Sequence, residues 1–478
     1  MKKLRFDVVV IGAGAAGMAS ALAIVHNGFT CVLIDRESAM GGILLQCIHN
    51  GFGLHLFKEE LTGPEFSARL EKDVRAADIP FYPDTTVLSI GKHTGQTEDR
   101  DADTDTGFSL LLSSARTGVI RVDCRALVLA MGSRERNRGN IRIAGDRPAG
   151  VYTAGLAQRL INMDGYLPGK RAVIIGSGDI GLIMARRLTL SGTKVEAVVE
   201  IQPFPSGLAR NIAQCLDDFE IPLFLSHATL RIIGRDRVSG VEIAPIENGA
   251  PNTEKARILD CDTVLLSVGL VPENELSARA GVILNPVTNG PVVNSRLMTN
   301  IPGIFAAGNV LHIHDLVDRV ADEASRAGAF CAAWLSEQDS TKAVCGVPEI
   351  PLRAGKNVRY TVPSTLARGA VAHISLRSMI VLDHGEVRLS RMKDGNPDGE
   401  LLFSRRISWI RPGEMIVLDI PPNVISEKCN NRSTAENGQK TGGDESEMKD
   451  SVLEISLVSV SSPSAEARTS TGSGGHAT

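Results

Sequence analysis

One glycine pattern occurs twice in this chain. In DVVVIGAGAAG a run of Val and Ile leads into Gly12, Gly14 and Gly17, and the next apolar run, CVLID, ends in Asp35, 23 positions after Gly12. In RAVIIGSGDIG the same pattern falls on Gly176, Gly178 and Gly181, and Glu200 closes the following run 24 positions after Gly176. Each reads as strand, tight turn, helix and strand. The first glycine permits the turn, the second lets backbone approach a pyrophosphate, and the third lets the helix pack on the sheet with its N-terminus facing the phosphates. The acid at the end of the second strand can accept hydrogen bonds from ribose hydroxyls. A single such turn is weak evidence, because glycine turns are common; two of them, each with its strand, helix and acid, predict an α/β chain with two dinucleotide sites.

Composition removes several other classes. A chain of 478 residues with 43% hydrophobic content can bury more than one core. The net charge of −4 and the scattered arginines and lysines argue against nucleic acid or a membrane surface as partner. The opening MKKLRFDVVVIGAGAAG imitates a signal peptide, but its glycines belong to the turn, and no stretch reaches the ~18 apolar residues of a membrane span. Eight cysteines (31, 47, 124, 215, 261, 331, 345 and 429) never form a Cys-x-x-Cys, so a zinc ribbon, a ferredoxin-type cluster and a disulfide framework lack support. A reduced, cytoplasmic protein is the expectation.

Two further segments carry a resemblance. CRALVLAMGSRER is a strand ending at Gly132, and TNIPGIFAAGNVLHIHDLVD is a strand ending in Gly308-Asn309. With the two glycine turns, these resemble flavoproteins with two dinucleotide-binding domains over about residues 5 to 335. The resemblance implies two Rossmann-like three-layer domains, with FAD on the first and NAD(H) on a second inserted into it. It implies domains at 1–149 and 270–340 for FAD and 150–269 for NAD. Beyond it, short β-like runs with Gly and Pro turns suggest a small β domain at 351–424, and a Ser-, Thr-, Gly-, Asn- and Glu-rich composition suggests a disordered tail at 430–478. FAD contacts are then expected from Gly12, Gly14, Gly17, Asp35, Arg36, Gly42, Gly132, Gly308 and Asn309, and NAD contacts from Gly176, Gly178, Gly181 and Glu200. Where such proteins usually carry Asp, this chain has Asn309, which keeps an acceptor but loses the charge. No arginine follows Glu200 closely in IQPFPSG, so NADH is expected over NADPH.

More finely, GGILLQCIHNGFGLHLFKEELTGPEFSARL, NIAQCLDDFEIPLFLSH and GNVLHIHDLVD look like the FAD/NAD-dependent oxidoreductases associated with bacterial glycerol-3-phosphate dehydrogenase. A more distant similarity is to flavoprotein subunits of dye-linked amino-acid, opine and cyanide-forming dehydrogenases. These resemblances imply a subunit passing electrons between NAD(H), FAD and a partner dehydrogenase subunit that handles the organic substrate, with hydride exchange between C4 of nicotinamide and N5 of flavin.

The catalytic candidates are Cys47 and His49. Flavin-dependent disulfide reductases place a cysteine pair where this chain has Leu44 and His49, so Cys47 stands without a partner in the loop and dithiol chemistry is not expected. Cys47 has three remaining readings: a polarizable wall residue beside the flavin, a lone thiol cycling through sulfenic acid as in an NADH oxidase or peroxidase, or a side chain packed away from the ring. His49 could relay a proton or simply belong to a turn. His312, His314 and Asp315 are expected to begin a helix whose positive end faces the flavin; metal binding by the two histidines lacks a third ligand at familiar spacing. Asp179, inside the second turn, either points to solvent or places a carboxylate near the pyrophosphate. The arginines at 134, 136, 138, 142 and 147 crowd a crossover between domains, as paired surface residues or as an anion-lined docking face. Residues 91–106 are expected to form an exposed hairpin tip, and VLEISLVSV a possible strand within the tail. A non-catalytic flavin-bearing scaffold is the rival from another functional class.

Overall fold

The computed structural model describes residues 2–94, 106–340, 348–393, 396–425 and 452–460. The chain forms two compact units, Met1–Gly346 and Val347–Thr478.

In the first unit, strand Lys2–Ile11 pairs in parallel with Cys31–Ile34 on one edge and with Gly118–Leu129 on the other, and Phe81–Tyr82 extends the sheet beyond Cys31–Ile34. The long strand Gly118–Leu129 serves two purposes. Its first half pairs antiparallel with Thr106–Ser114, which in turn pairs with Thr85–Thr94, while Leu127–Leu129 pair in parallel with Ile304–Ala306. Val8, Val9 and Val10 are fully buried, as a parallel strand covered on both faces requires. Helices Ala15–His26 and Val317–Asp339 pack together closely: a Cβ at Gly328 would lie 2.4 Å from the Ser20 carbonyl oxygen. The tip expected within 91–106 falls largely outside the described residues, between the paired strands that flank it.

The second glycine turn opens a separate parallel sheet. Its order is Leu223–Phe224, Lys194–Val199, Arg171–Ile175, Thr263–Leu266 and Val151–Thr153. Alternation along Arg171–Ile175 decides its two faces: Ala172 and Ile174 pack under Leu182, Ala185 and Leu188 of helix Asp179–Leu190, while Val173 and Ile175 meet Ile232, Val241 and Ile243. The latter belong to an antiparallel layer in which Val238–Glu247 pairs with both His227–Gly234 and Arg257–Asp260. Helix, parallel sheet and antiparallel sheet give three layers. The chain passes to and from this part through Ser133–Glu135 and Leu270–Pro272, which pair with each other as a two-stranded ribbon.

The second unit is all β in its sheets. A three-stranded sheet of Val358–Val362, Ala372–Ser378 and Met415–Ile420 shares an apolar core with a five-stranded one. Val452–Ser459, the possible strand of the tail, lies between Glu349–Ala354 and Leu382–Lys393, with Leu453, Ile455 and Leu457 fully buried. Alternation along LEISL turns those three to the core, with Glu454 and Ser456 on the other face. The remainder of the expected tail lies outside the described residues.

Candidate functional site

At the first turn Gly12 adopts φ +102°, and a Cβ there would lie 2.3 Å from the Ala130 carbonyl oxygen. Gly17 presses on the turn itself, since its Cβ would lie 1.8 Å from Gly12 O. Gly14, by contrast, would place a Cβ in open space, with nothing within 4 Å. The helix N-terminus therefore faces room of the kind a pyrophosphate needs. Gly41 N donates to Ala13 O at 2.9 Å, and Gly42 with φ +54° approaches Gly14, so the second glycine pair forms another wall of this space. Asp35 is half-buried; its Oδ2 accepts from Ala13 N at 2.6 Å and its Oδ1 from Glu37 N at 2.9 Å. Arg36 beside it is exposed, and Gly132 with φ +70° has open space where its side chain would stand.

The loop after Gly42 is held by a carboxylate that sequence reasoning did not single out. Asp318, 5% exposed in the first turn of helix Val317–Asp339, accepts from Gly53 N at 3.1 Å, His55 N at 3.0 Å and Leu56 N at 2.8 Å. Buried Gln46 anchors the near end, donating to Gly155 O at 2.9 Å and Gln158 Oε1 at 3.0 Å. Cys47 sits between these anchors, half-buried, with its thiol directed at Ile43 O at 3.3 Å and Gln158 Oε1 at 3.8 Å. Burial pushes its pKa up to about 12, so it is a neutral thiol at physiological pH. Sulfenate cycling needs the opposite, a lowered pKa, so this environment does not favour the lone-thiol reading of Cys47. His49 Nδ1 lies 3.0 Å from Asn50 O and its ring is 5.0 Å from that of Phe52. Burial lowers its pKa below the ordinary value; the Asn50 carbonyl and Asp179 oppose this, and Arg210 and Arg186 add to it. His49 thus faces charged groups of the second glycine turn's helix and of the segment after Glu200.

His312, His314 and Asp315 do not begin a helix. A short 3-10 turn, Gly308–Val310, intervenes, and the helix starts at Val317, because Asn309 Oδ1 accepts from His314 N at 3.0 Å and holds the segment in a loop. The third group that the sequence did not offer is Glu323, nine and eleven positions on. Its Oε2 lies 2.8 Å from His312 Nε2, and its Oε1 3.1 Å from His314 Nε2 and 2.8 Å from Gly308 N. The three side-chain ligand atoms lie within 4.8 Å of one another, so the residue types could meet at a metal. The contacts are those of a hydrogen-bonded His–Glu–His triad. Burial raises the Glu323 pKa, but His314 and His312 together hold it well below the usual carboxylate range. A buried carboxylate requires a balancing cation.

At the second turn Gly176 repeats Gly12, with φ +91° and a Cβ position 2.1 Å from Ser267 O. The acid differs. Glu200 is 4% exposed, and its Oε2 accepts from Ser177 N at 2.9 Å, Ser177 Oγ at 2.6 Å and Ser206 Oγ at 3.1 Å, while Oε1 accepts from Gln202 N at 2.9 Å. Asp179 neither points freely to solvent nor simply faces a phosphate. Its Oδ1 accepts from Leu208 N at 2.8 Å and Asn211 Nδ2 at 2.6 Å, tying the segment after Glu200 back across the turn. Gly178 and Gly181 both sit against Ser267 Oγ, which accepts from Gly181 N at 3.0 Å.

A cavity of about 850 Å³ separates the loop around His49 from helix Asp179–Leu190 and the segment around Arg210. Most of the crossover arginines are paired: Arg134 with Glu273 at 2.6 Å and Glu275 at 3.2 Å, Arg138 with the carbonyls of Ile143, Ala144 and Asp146, and Arg147 with Gly145 O at 2.8 Å. Among the described residues no helix is long and apolar enough to cross a membrane.

Residues 6–328 match the pyridine nucleotide-disulphide oxidoreductase family, and the chain belongs to that family. It is an FAD- and NAD(P)-dependent oxidoreductase. The small chain of NADPH glutamate synthase from Escherichia coli (strain K12) is 25% identical over 70% of each chain. Mitochondrial dihydrolipoyl dehydrogenase from Caenorhabditis elegans is 25% identical over 66% of each chain. Hydrogen cyanide synthase subunit HcnB from Pseudomonas protegens is 24% identical over 64% of this chain and 66% of that protein. In fold the chain is similar to T. acidophilum thioredoxin reductase, at a TM-score of 0.55 and 23% identity, over 70% of this chain and 99% of that one.

Proposed function

We propose that this family member is the electron-transfer subunit of a larger dehydrogenase, taking hydride equivalents between NAD(H) and FAD without a thiol relay. The observation that carries the reading is the pairing of two glycine turns of one backbone plan with a loop whose single cysteine is a neutral, hydrogen-bonded thiol. FAD is assigned to Gly12, Gly14, Gly17, Asp35, Gly42, Gly132, Gly308 and Asn309, where the space beyond Gly14 and Gly132 is open. NAD(H) is assigned to Gly176, Gly178, Gly181 and Glu200. FAD supplies the hydride-accepting ring when bound; the chain supplies position and electrostatics. Asp318 fixes the loop that carries Cys47 and His49, and the Glu323 triad fixes the Gly308–His314 segment. Several relatives are named as subunits of multi-component enzymes, among them those for hydrogen cyanide synthesis and opine oxidation, which supports a protein partner here too. A partner acting on glycerol 3-phosphate is the finer reading, suggested by the sequence resemblance.

The isolated chain should then pass electrons from NADH to an artificial acceptor and leave glycerol 3-phosphate and amino acids untouched. Steady-state dye reduction with each donor tests this. Direct reduction of the flavin by one of those organic substrates, without NADH, would overturn the subunit reading.

A further inference from the structure

We propose that the cavity between the His49 loop and helix Asp179–Leu190 binds a small organic oxyanion, a carboxylate or phosphate borne by a molecule other than the nicotinamide dinucleotide. Positions 179, 183, 186, 187 and 190 follow helical spacing and line one wall, which brings Arg186 and Arg187 to the cavity; Arg210 reaches it from the segment after Glu200. Among the described residues none of the three arginines has an ion-pair partner.

The wall is built rather than incidental. Arg187 Nε donates to Asn162 Oδ1 at 2.9 Å, and Asn162 Nδ2 donates to Gln46 O at 2.8 Å, so the guanidinium is oriented by an amide that is itself anchored. Both terminal amino groups of Arg187 remain to bind a planar oxyanion, the geometry a guanidinium suits best. Gln158 is 1% exposed and lines the same cavity. Its Oε1 accepts from Gln46 Nε2, which fixes the amide's orientation, and its Nε2 is a buried donor with no partner. An unsatisfied buried donor is costly to keep, so one beside three guanidinium groups without counter-ions points to an acceptor-rich occupant.

Four carboxylates also line the cavity: Glu60, Asp179, Asp218 and Asp315. Asp179 is engaged by Leu208 N and Asn211, and neither it nor Glu60 nor Asp218 ion-pairs with these arginines. The volume suits a small molecule. The proposal does not depend on which nucleotide each glycine turn holds.

The test uses the full-length, flavin-loaded protein and calorimetric titration with malonate and with inorganic phosphate, each with and without saturating ADP-ribose to fill the dinucleotide's phosphate positions. Saturable binding of at least one probe, retained under ADP-ribose and weakened about tenfold or more in Arg210→Gln, is the expected result, as befits loss of one charge-assisted contact. Arg210→Gln removes no hydrogen bond seen in the structure and should keep the wild-type Tm and flavin spectrum; Arg187→Gln provides a second, independent loss. No saturable binding of either probe, binding unchanged in both variants, or complete loss under ADP-ribose would each overturn the proposal, the last by giving the arginines to the dinucleotide.

Discussion

Ala13 N donates to Asp35 at the first glycine turn, and Ser177 N donates to Glu200 at the second, so the two acids occupy equivalent places on one backbone plan. Their surroundings diverge. Asp35 is half-buried and holds two backbone N–H groups, whereas Glu200 is nearly inaccessible and accepts four hydrogen bonds, one of them from Ser206 of the returning segment. Gly14 faces open space, while a Cβ at Gly178 would lie 3.1 Å from Ser267 Oγ. The first turn is therefore presented to a ligand as it stands. The second is tied shut by the segment Ser206–Asn211, and a ribose that reaches Glu200 has to displace Ser206.

The sharpest way to break this comparison is to delete the acids. Glu200→Ala leaves buried donors without an acceptor and should cost about 3–5 kcal/mol of stability, read from urea unfolding of the apo chain. Asp35→Ala should cost less, about 1–2 kcal/mol, and show itself chiefly as lost FAD. Equal stability losses would mean that the two acids are not differently employed.

A smaller effect is expected at the helix N-termini. Gly14→Ala has room for its methyl and an ordinary φ of −75°, so the apo fold should stay within about 1 kcal/mol of wild type while FAD retention falls. Flavin content against Tm checks it. Unimpaired FAD binding would remove the first turn from the flavin site.

Ser206→Ala should lower stability by about 1 kcal/mol, the worth of one ordinary hydrogen bond from an exposed side chain, and tighten NADH binding by loosening the segment. Weaker NADH binding in this variant would show that Ser206 helps hold the dinucleotide instead of covering its site.

Least in energy, but direct, is the thiol. With its pKa raised to about 12, Cys47 should alkylate slowly at pH 8, and its rate should keep rising far above the pH where a free thiol levels off. The sign for stability follows: burial favours the neutral thiol in the folded chain, so Cys47 contributes stability below the unfolded thiol's pKa, lost as pH climbs from there towards 12. A plateau in the alkylation rate near pH 8 would restore the sulfenate reading.

Much of this was legible in the sequence because glycine turns bind chain position to backbone geometry: Gly12 and Gly176 both adopt the positive φ that the pattern demands. Cys47 without a partner could also be read directly. What could not be read were contacts made across long stretches of chain. Asp318 clamps a loop more than 260 positions away, and in its helix it looks like any first-turn acid. Glu323 meets His312 and His314 only because a loop precedes the helix, so its spacing matches no familiar ligand pattern. Arg186 and Arg187 lie on one helix and Arg210 on the next, and no sequence spacing links them to His49; the fold alone sets them around one cavity. Strand Val452–Ser459 carried its signal in the alternation of LEISL, but amid polar sequence that masked its central place in the sheet.

The central claim, hydride exchange between NADH and FAD without a thiol, is tested most directly by anaerobic stopped-flow reduction of Cys47→Ser alongside wild type. The account predicts that both flavins bleach at nearly the same rate, with one NADH consumed per FAD and no thiolate-to-flavin charge-transfer band. Loss of reduction in Cys47→Ser, or uptake of a second NADH by wild type alone, would contradict it.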